Sequence, residues 1–151
     1  MSIEEIIGFV RGLGGVLVLE PGPDDGSPEI AWGDAFFYYA PDGAVPTTTQ
    51  PFATIVTKDY PGDEGSRLDR PGAFRLNIAA GKDAFARWTA QGPGDPAAAD
   101  VLRAHPVYAD AGWLAVVNPG PASGAAVREL LRTAHGRARR RYERRSALRR
   151  P

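Results

Sequence analysis

Three side chains in this sequence could take part in acid–base chemistry. Asp34 lies in an aromatic segment, Lys58 ends a predicted buried strand, and His105 stands next to a proline. A general base must lie within hydrogen-bond reach of the proton that it moves, so these groups could act on a small metabolite only if they converge on one cavity. We therefore treat Asp34, Lys58 and His105 as catalytic candidates, and the sequence leaves open whether any reaction is catalysed.

Asp34 is also the candidate polar anchor of a ligand pocket. Burying an unpaired carboxylate is costly, so an acid inside an aromatic strand must be paired, lie at a bulge or face a cavity. Two interpretations stay open: a pocket anchor, or a bulge at Gly33-Asp34 whose carboxylate caps nearby amides or pairs with Arg75. The predicted ligand-binding residues are Trp32, Asp34, Tyr38, Lys58, Arg75 and Asn77.

The other candidates have plain structural interpretations as well. Lys58 can belong to a solvated strand end beside Tyr60, and His105 can be a hydrogen-bonded structural histidine; for these two residues the structural interpretation is favoured. Arg75 and Asn77 alternate with apolar residues along their strand. They therefore lie either in a cleft on the second face of the sheet or on an ordinary solvated face.

The C-terminal segment carries the strongest charge feature. Residues 136–151 hold eight arginines and one acid, whereas the rest of the chain holds ten basic and seventeen acidic side chains, a net charge of −7. An arginine-rich helix can bind nucleic acid through counterion release. The favoured interpretation is nevertheless a solubilising, partly frayed terminus that folds against the acidic body, because no groove-reading motif accompanies it. The nucleic-acid candidates are Arg137, Arg140, Arg141, Arg144 and Arg145.

Composition and motifs exclude several classes of site. The chain has no cysteine, which rules out disulfides, thiolate nucleophiles and sulfur-ligated zinc. Its two histidines, His105 and His135, lack ligand spacing, and there is no phosphate loop or nucleophile elbow, so we expect no metal and no cofactor. The N-terminus lacks signal-peptide features, and no apolar run reaches the ~20 residues that span a bilayer. We expect a cytoplasmic monomer or homodimer that does not bind membranes.

Hydrophobic periodicity predicts the α+β fold that must position these residues. Ser2 and Glu5 form a capping box that begins an amphipathic helix, and Gly14-Gly15 ends it. Four successive strands predict an antiparallel meander of about five strands, on which this helix, one or two middle helices and a long C-terminal helix pack. Residues 1–138 form the predicted domain, and residues 139–151 form an arginine-rich helical or frayed tail. The predicted strands are Val16–Glu20, Ile30–Tyr39, Phe52–Tyr60, Phe74–Ile78 and Trp113–Val117, and the later helices are Ala80–Ala90, Ala97–Ala104 and the one that follows Ser123.

Four segments of the chain resemble a known family. They are IAWGDAFFYY, PFATIVTKDY, RPGAFRLNI and HPVYADAGWLAVVNPG, and in this order and spacing they are similar to an uncharacterised family, domain of unknown function 6194, which is frequent in actinobacteria. The resemblance extends from Glu5 to about Arg139 and implies no established activity. More distantly, the outline is similar to the MmcQ/YjbR-like group, whose fold is described as a DNA-binding-like double wing; that similarity implies a fold and not a function.

The favoured functional prediction is an accessory domain that binds a small molecule or a protein through an aromatic and polar cleft on the second sheet face. The first alternative is an enzyme that acts on a small metabolite by acid–base chemistry. The second alternative is weak nucleic-acid binding through the arginine-rich tail, which is possible but not favoured. The ligand itself cannot be named from the sequence.

Overall fold

An antiparallel sheet forms the centre of the molecule in the computed structural model, which describes residues 1–149. The strands are β1 (Val16–Leu19), β2 (Ala35–Tyr39), β3 (Ala53–Val56), β4 (Arg75–Ile78), β5 (Arg103–Ala104) and β6 (Leu114–Val117). Their order across the sheet is β1-β2-β3-β4-β6-β5. The first four strands are neighbours in sequence and in space, which confirms the predicted α+β meander, and the two-residue β5 is an additional edge strand beside β6.

Helices cover one face of this sheet. They are α1 (Ile3–Arg11), α2 (Lys82–Thr89) and α3 (Gly124–Leu148). The predicted capping box begins α1, because the Ser2 hydroxyl accepts from the Glu5 amide at 3.1 Å and the Glu5 carboxylate accepts from the Ser2 amide at 3.3 Å. The core lies between sheet and helices, where alternate strand residues such as Ile55 and Leu76 meet Ile6 and Leu131, all fully buried. We call this the helix-covered face and the opposite one the open face.

The predicted strand Ile30–Tyr39 is wrong in its first half. Residues Glu29–Ala31 form a single 3-10 turn, and β2 begins only at Ala35. Gly33 adopts a φ of +87°, a left-handed conformation that an extended strand cannot include. The glycine therefore ends the turn instead of marking a bulge within a longer strand.

The predicted helix Ala97–Ala104 is also wrong. The chain there makes turns and then pairs with β6 as strand β5, so tertiary pairing overrides the helix propensity of alanine. Asp100 has a φ of +61° and is incompatible with a helix. Its carboxylate accepts hydrogen bonds from the amides of Gly120, Ala122 and Ser123, which fixes the connection that leads into α3.

Helix α3 continues without a break through Leu148, so residues 139–148 of the predicted tail are helical. Arg150 and Pro151, which also belong to that predicted tail, lie outside the described residues. None of the helices in residues 1–149 combines the length and the apolar character that crossing a bilayer requires.

Candidate ligand-binding site

The open face of the sheet carries a cleft of about 520 Å³. Its floor consists of polar side chains, mainly from the central strands, because residues of β3 and β4 that alternate with the core point away from the helices. Its walls are aromatic and come from three separate segments of the chain. The floor residues are Thr54, Arg75, Asn77 and His105, and the aromatic wall residues are Phe36, Tyr60, Tyr108 and Trp113.

Arg75 is the centre of the floor and is held on all sides. Its side chain is only 2% exposed. It makes two parallel hydrogen bonds to the carboxylate of Asp63, Nη1 to Oδ1 at 2.9 Å and Nη2 to Oδ2 at 2.6 Å. Nη1 also donates to the Ser66 hydroxyl at 3.0 Å, and Nε donates to Asn77 Oδ1 at 2.8 Å. The guanidinium charge is therefore neutralised inside the protein, and the solvated-face interpretation of Arg75 is wrong.

Asp63 is the acid that makes this burial possible. Burial acts to raise the pKa of its carboxyl, but the hydrogen bonds and the positive charge of Arg75 outweigh it, and the pKa lies below its ordinary value. The pair is bidentate, the geometry in which a guanidinium recognises a carboxylate most strongly. Asp63 and Arg75 together form a rigid, neutral platform beneath the cleft.

His105 lies beside Arg75 and is 3% exposed. Burial, followed by the charge of Arg75, lowers its pKa to about 4, so the ring is neutral near pH 7. The backbone amides of Val107 and Tyr108 both lie 3.0 Å from Nδ1, and Arg75 Nη2 lies 3.1 Å from Nε2. Both ring nitrogens therefore face protein groups, and His105 contributes a fixed, neutral ring to the cleft floor.

Asn77 and Thr54 complete the floor. Asn77 Oδ1 accepts from Arg75, so the amide nitrogen is turned toward β3, where it donates to the Thr54 hydroxyl at 3.0 Å. Because that hydroxyl oxygen already accepts a hydrogen bond, its own proton is left for another acceptor. The floor therefore offers the Thr54 hydroxyl as a donor to whatever occupies the cleft.

Asp34 belongs to a different, closed cluster. Its side chain is fully buried, and Oδ1 accepts from the Thr57 amide and hydroxyl, each at 2.8 Å, and from Lys58 Nζ at 3.1 Å. Oδ2 accepts from the Tyr60 hydroxyl. Of the two interpretations of Asp34, the structure agrees with the one in which the carboxylate caps a backbone amide. Its ionic partner is Lys58 and not Arg75. Burial, and then the hydrogen bond to Asp34, raise the pKa of Tyr60.

The structure brings some predicted site residues together and separates others. Arg75, Asn77 and His105 line the cleft, whereas Asp34 and Lys58 do not. The three catalytic candidates therefore do not share one cavity. Trp32 and Tyr38 are also outside the lining: the Trp32 indole donates to the Ser27 carbonyl at 3.0 Å, and Tyr38 lies opposite Leu17 of β1.

Sequence reasoning missed the partner of Arg75 and most of the aromatic wall. Asp63 lies in the charged segment 61–71, and nothing in its local pattern distinguishes it from the neighbouring acids. The usable signal was Arg75 itself, since an arginine on a central strand needs an acidic partner. Tyr108 and Trp113 approach the cleft from the connection between β5 and β6. The position of this connection relative to the sheet was not predicted from the sequence.

Fold and site together define an α+β protein with a helix-covered antiparallel sheet and a ligand-sized cleft on the open sheet face. A family model described as "Family of unknown function (DUF6194)" matches residues 1–147, and the chain belongs to that family. No curated protein and no solved structure matches the chain. The family membership agrees with the resemblance in the four segments and brings no activity with it.

Proposed function

We propose that this protein binds a small, largely apolar or aromatic molecule in the open-face cleft. The observation that carries the proposal is the polar floor beneath aromatic walls. Ligand sites are typically concave, span about 300–1,000 Å³ and combine apolar walls with a few converging polar groups. The cleft of about 520 Å³ has these features, with Phe36 and Trp113 in its walls.

The charges of the floor favour a ligand with a carbonyl or hydroxyl oxygen. Arg75 is already paired with Asp63, so the floor carries no uncompensated positive charge for a strongly anionic group. The Thr54 hydroxyl still lacks an acceptor for its proton among the described contacts. An oxygen acceptor on the ligand would accept that proton, and a ligand without one would leave this donor covered and unpaired, which costs about 1–3 kcal/mol.

Binding without a reaction is the function that this geometry supports best. An acid–base reaction by Asp34, Lys58 and His105 would need all three to face one substrate, and only His105 lines the cleft. The closed hydrogen bonding of Asp34 suits a structural role, because both of its oxygens are occupied by protein donors.

A ligand screen on matched variants tests the proposal. Small aromatic molecules with and without a carbonyl or hydroxyl group are compared for their effect on thermal unfolding, where a ligand at 100 times its Kd adds about 2.7 kcal/mol of stability. Tyr108→Ala removes an exposed wall of the cleft, Thr54→Val removes a floor donor, and Leu148→Ala removes an exposed apolar side chain outside it. We expect the first two variants to weaken binding of the hits and the third to leave it unchanged.

Two outcomes would end this proposal. The first is that no oxygen-bearing aromatic compound raises the unfolding temperature of the wild-type protein. The second is that hits bind all three variants equally and shift no amide NMR signals of Thr54, Asn77 or Trp113, because the ligand would then lie elsewhere.

A further inference from the structure

A second cleft, of about 460 Å³, lies between the C-terminal half of α3 and residues 40–52. Three arginines of α3 and its C-cap residue line it, and they occur at every fourth position: Arg137, Arg141, Arg145 and Arg149. Residues four apart share one face of a helix, with successive positions roughly 6 Å apart along the axis. We call this the arginine cleft. The exposed Arg140 and Arg144 of the same helix are not among its lining residues.

The arginine cleft is also lined by hydroxyl groups and aromatic rings. Thr47, Thr48 and Thr49 belong to the loop side of the cleft. The rings of Tyr39 and Tyr142, which also line it, lie edge to face with centroids 5.4 Å apart. The cleft therefore places a row of guanidinium groups and hydroxyls beside an aromatic surface.

The positive charge of the arginine cleft is not compensated within the described residues. Asp42 is the one acid among the lining residues of this cleft within residues 1–149. Arg137 donates to the Ala79 carbonyl at 3.2 Å and Arg145 donates to the Thr49 hydroxyl, and both acceptors are neutral. The Arg141 side chain makes no hydrogen bond or ion pair with residues 1–149. Partial desolvation in the cleft, followed by the charges of Arg137, Arg145 and nearby Arg144, lowers the pKa of Arg141, so a bound anion would relieve this repulsion.

We propose that the arginine cleft binds a nucleoside triphosphate or a chemically similar nucleotide with several phosphates. Guanidinium groups recognise phosphate oxygens through bidentate hydrogen bonds, and the threonine hydroxyls can donate to the same oxygens. The base stacks on Tyr142, because every base has a π-face. A compact nucleotide fits better than a nucleic-acid strand, since the contact between Arg145 and Thr49 joins helix to loop across the cleft.

This site is distinct from the open-face cleft and does not rest on the function proposed for it. The two clefts adjoin, with Gln50, Pro51, Ala111 and Trp113 lining both. Their chemistry differs, because the cation of the open-face cleft is paired with Asp63 and the cations of the arginine cleft are not paired with acids.

Calorimetric titration of the full chain with adenosine triphosphate at low ionic strength tests the proposal. We expect adenosine triphosphate to bind at least ten times more tightly than the monophosphate. The double variant Arg141→Gln/Arg145→Gln should lose at least tenfold in affinity. The matched control Arg140→Gln/Arg144→Gln removes the same charge from the same helix outside the cleft and should change affinity by less than twofold. All four side chains are exposed, so both variants should fold, which circular dichroism would verify.

Any of three results would overturn the proposal. One is the absence of measurable triphosphate binding by the wild-type chain. Another is an equal loss of affinity in the two double variants, which would indicate diffuse attraction to the whole helix. The third is that a ten-nucleotide thymidine oligomer binds more tightly than adenosine triphosphate, which would make this face a nucleic-acid surface instead.

Discussion

Arg75 and Arg141 line two adjoining clefts and have opposite surroundings. Arg75 is 2% exposed and is paired with Asp63, whereas Arg141 is exposed and has no partner among residues 1–149. An arginine whose charge is neutralised inside the protein can shape a cleft and orient its neighbours. An arginine whose charge is left uncompensated can attract a ligand. The same residue type thus stabilises the fold in one cleft and is available for binding in the other.

Substitutions of residues in the two clefts should differ most in their effect on folding stability. Asp63→Ala leaves Arg75 buried without its acid, and breaking one side of a buried pair costs about 3–5 kcal/mol. Arg141→Gln is the contrasting surface change and should alter the free energy of unfolding by no more than about 0.5 kcal/mol. Urea denaturation of both variants measures this difference. A loss below about 1 kcal/mol in Asp63→Ala would mean that the pair is not the support of the open-face cleft.

A smaller effect on folding stability is expected when the pH is changed. Since the pKa of His105 is about 4 in the folded protein and 6.5 in the unfolded chain, the unfolded state binds the extra proton between these values. Stability should therefore fall as the pH is lowered from 6.5 to 4, by about 3 kcal/mol in total. Asp63 also has a lowered pKa, but its contribution is lost only below about 3.8, outside this window.

Urea denaturation at several pH values, with His105→Gln as the comparison, isolates that effect. A lower stability of the variant at every pH value would not affect the result, because the informative quantity is the slope of stability against pH between pH 6.5 and 4.5. We expect a slope in the wild-type protein that the variant lacks. Equal slopes would show that His105 is not held neutral beside Arg75.

The smallest effect should be the change in ligand affinity as the salt concentration rises. Exposed charges are screened as ionic strength rises, with a Debye length of about 10 Å at 0.1 M. Triphosphate binding in the arginine cleft should weaken about tenfold between ~50 and ~200 mM sodium chloride, or ~1.4 kcal/mol. Binding of a neutral aromatic hit in the open-face cleft should change by less than twofold. Titrations of both ligands at both salt concentrations measure this difference. Equal losses of affinity for the two ligands would contradict the proposed difference in charge between the clefts.

Local patterns were sufficient to predict much of the fold. The capping box of Ser2 and Glu5 involves hydrogen bonds between residues three apart. The alternation of apolar and polar residues along β4 can be read from the sequence of that strand alone. The prediction failed where distant partners dominate. Asp100 takes a left-handed backbone conformation while its carboxylate accepts amides about twenty residues away, so the alanine-rich segment around it pairs with β6 instead of forming a helix.

The candidate site was less predictable for a similar reason. Arg75 and Asn77 were predicted to lie on the second face of the sheet and His105 was predicted as a catalytic candidate, but the pairing of Arg75 depends on how segment 61–71 folds back over β4. The spacing of Arg137, Arg141 and Arg145 was visible in the sequence. What that row faces depends on residues 40–52, whose course no periodicity indicates.

The turn at Tyr60–Asp63 has a consequence for sequence variation in this family. Asp63 donates its amide to the Tyr60 carbonyl at 2.8 Å, and Gly62 has the left-handed φ of +81° that a proline–glycine turn requires. One end of the turn holds Tyr60 against Asp34, and the other end delivers Asp63 to Arg75. An inserted residue would misplace both contacts at once. Relatives should therefore keep the length of this turn fixed while insertions accumulate in exposed connections such as Pro21–Pro28.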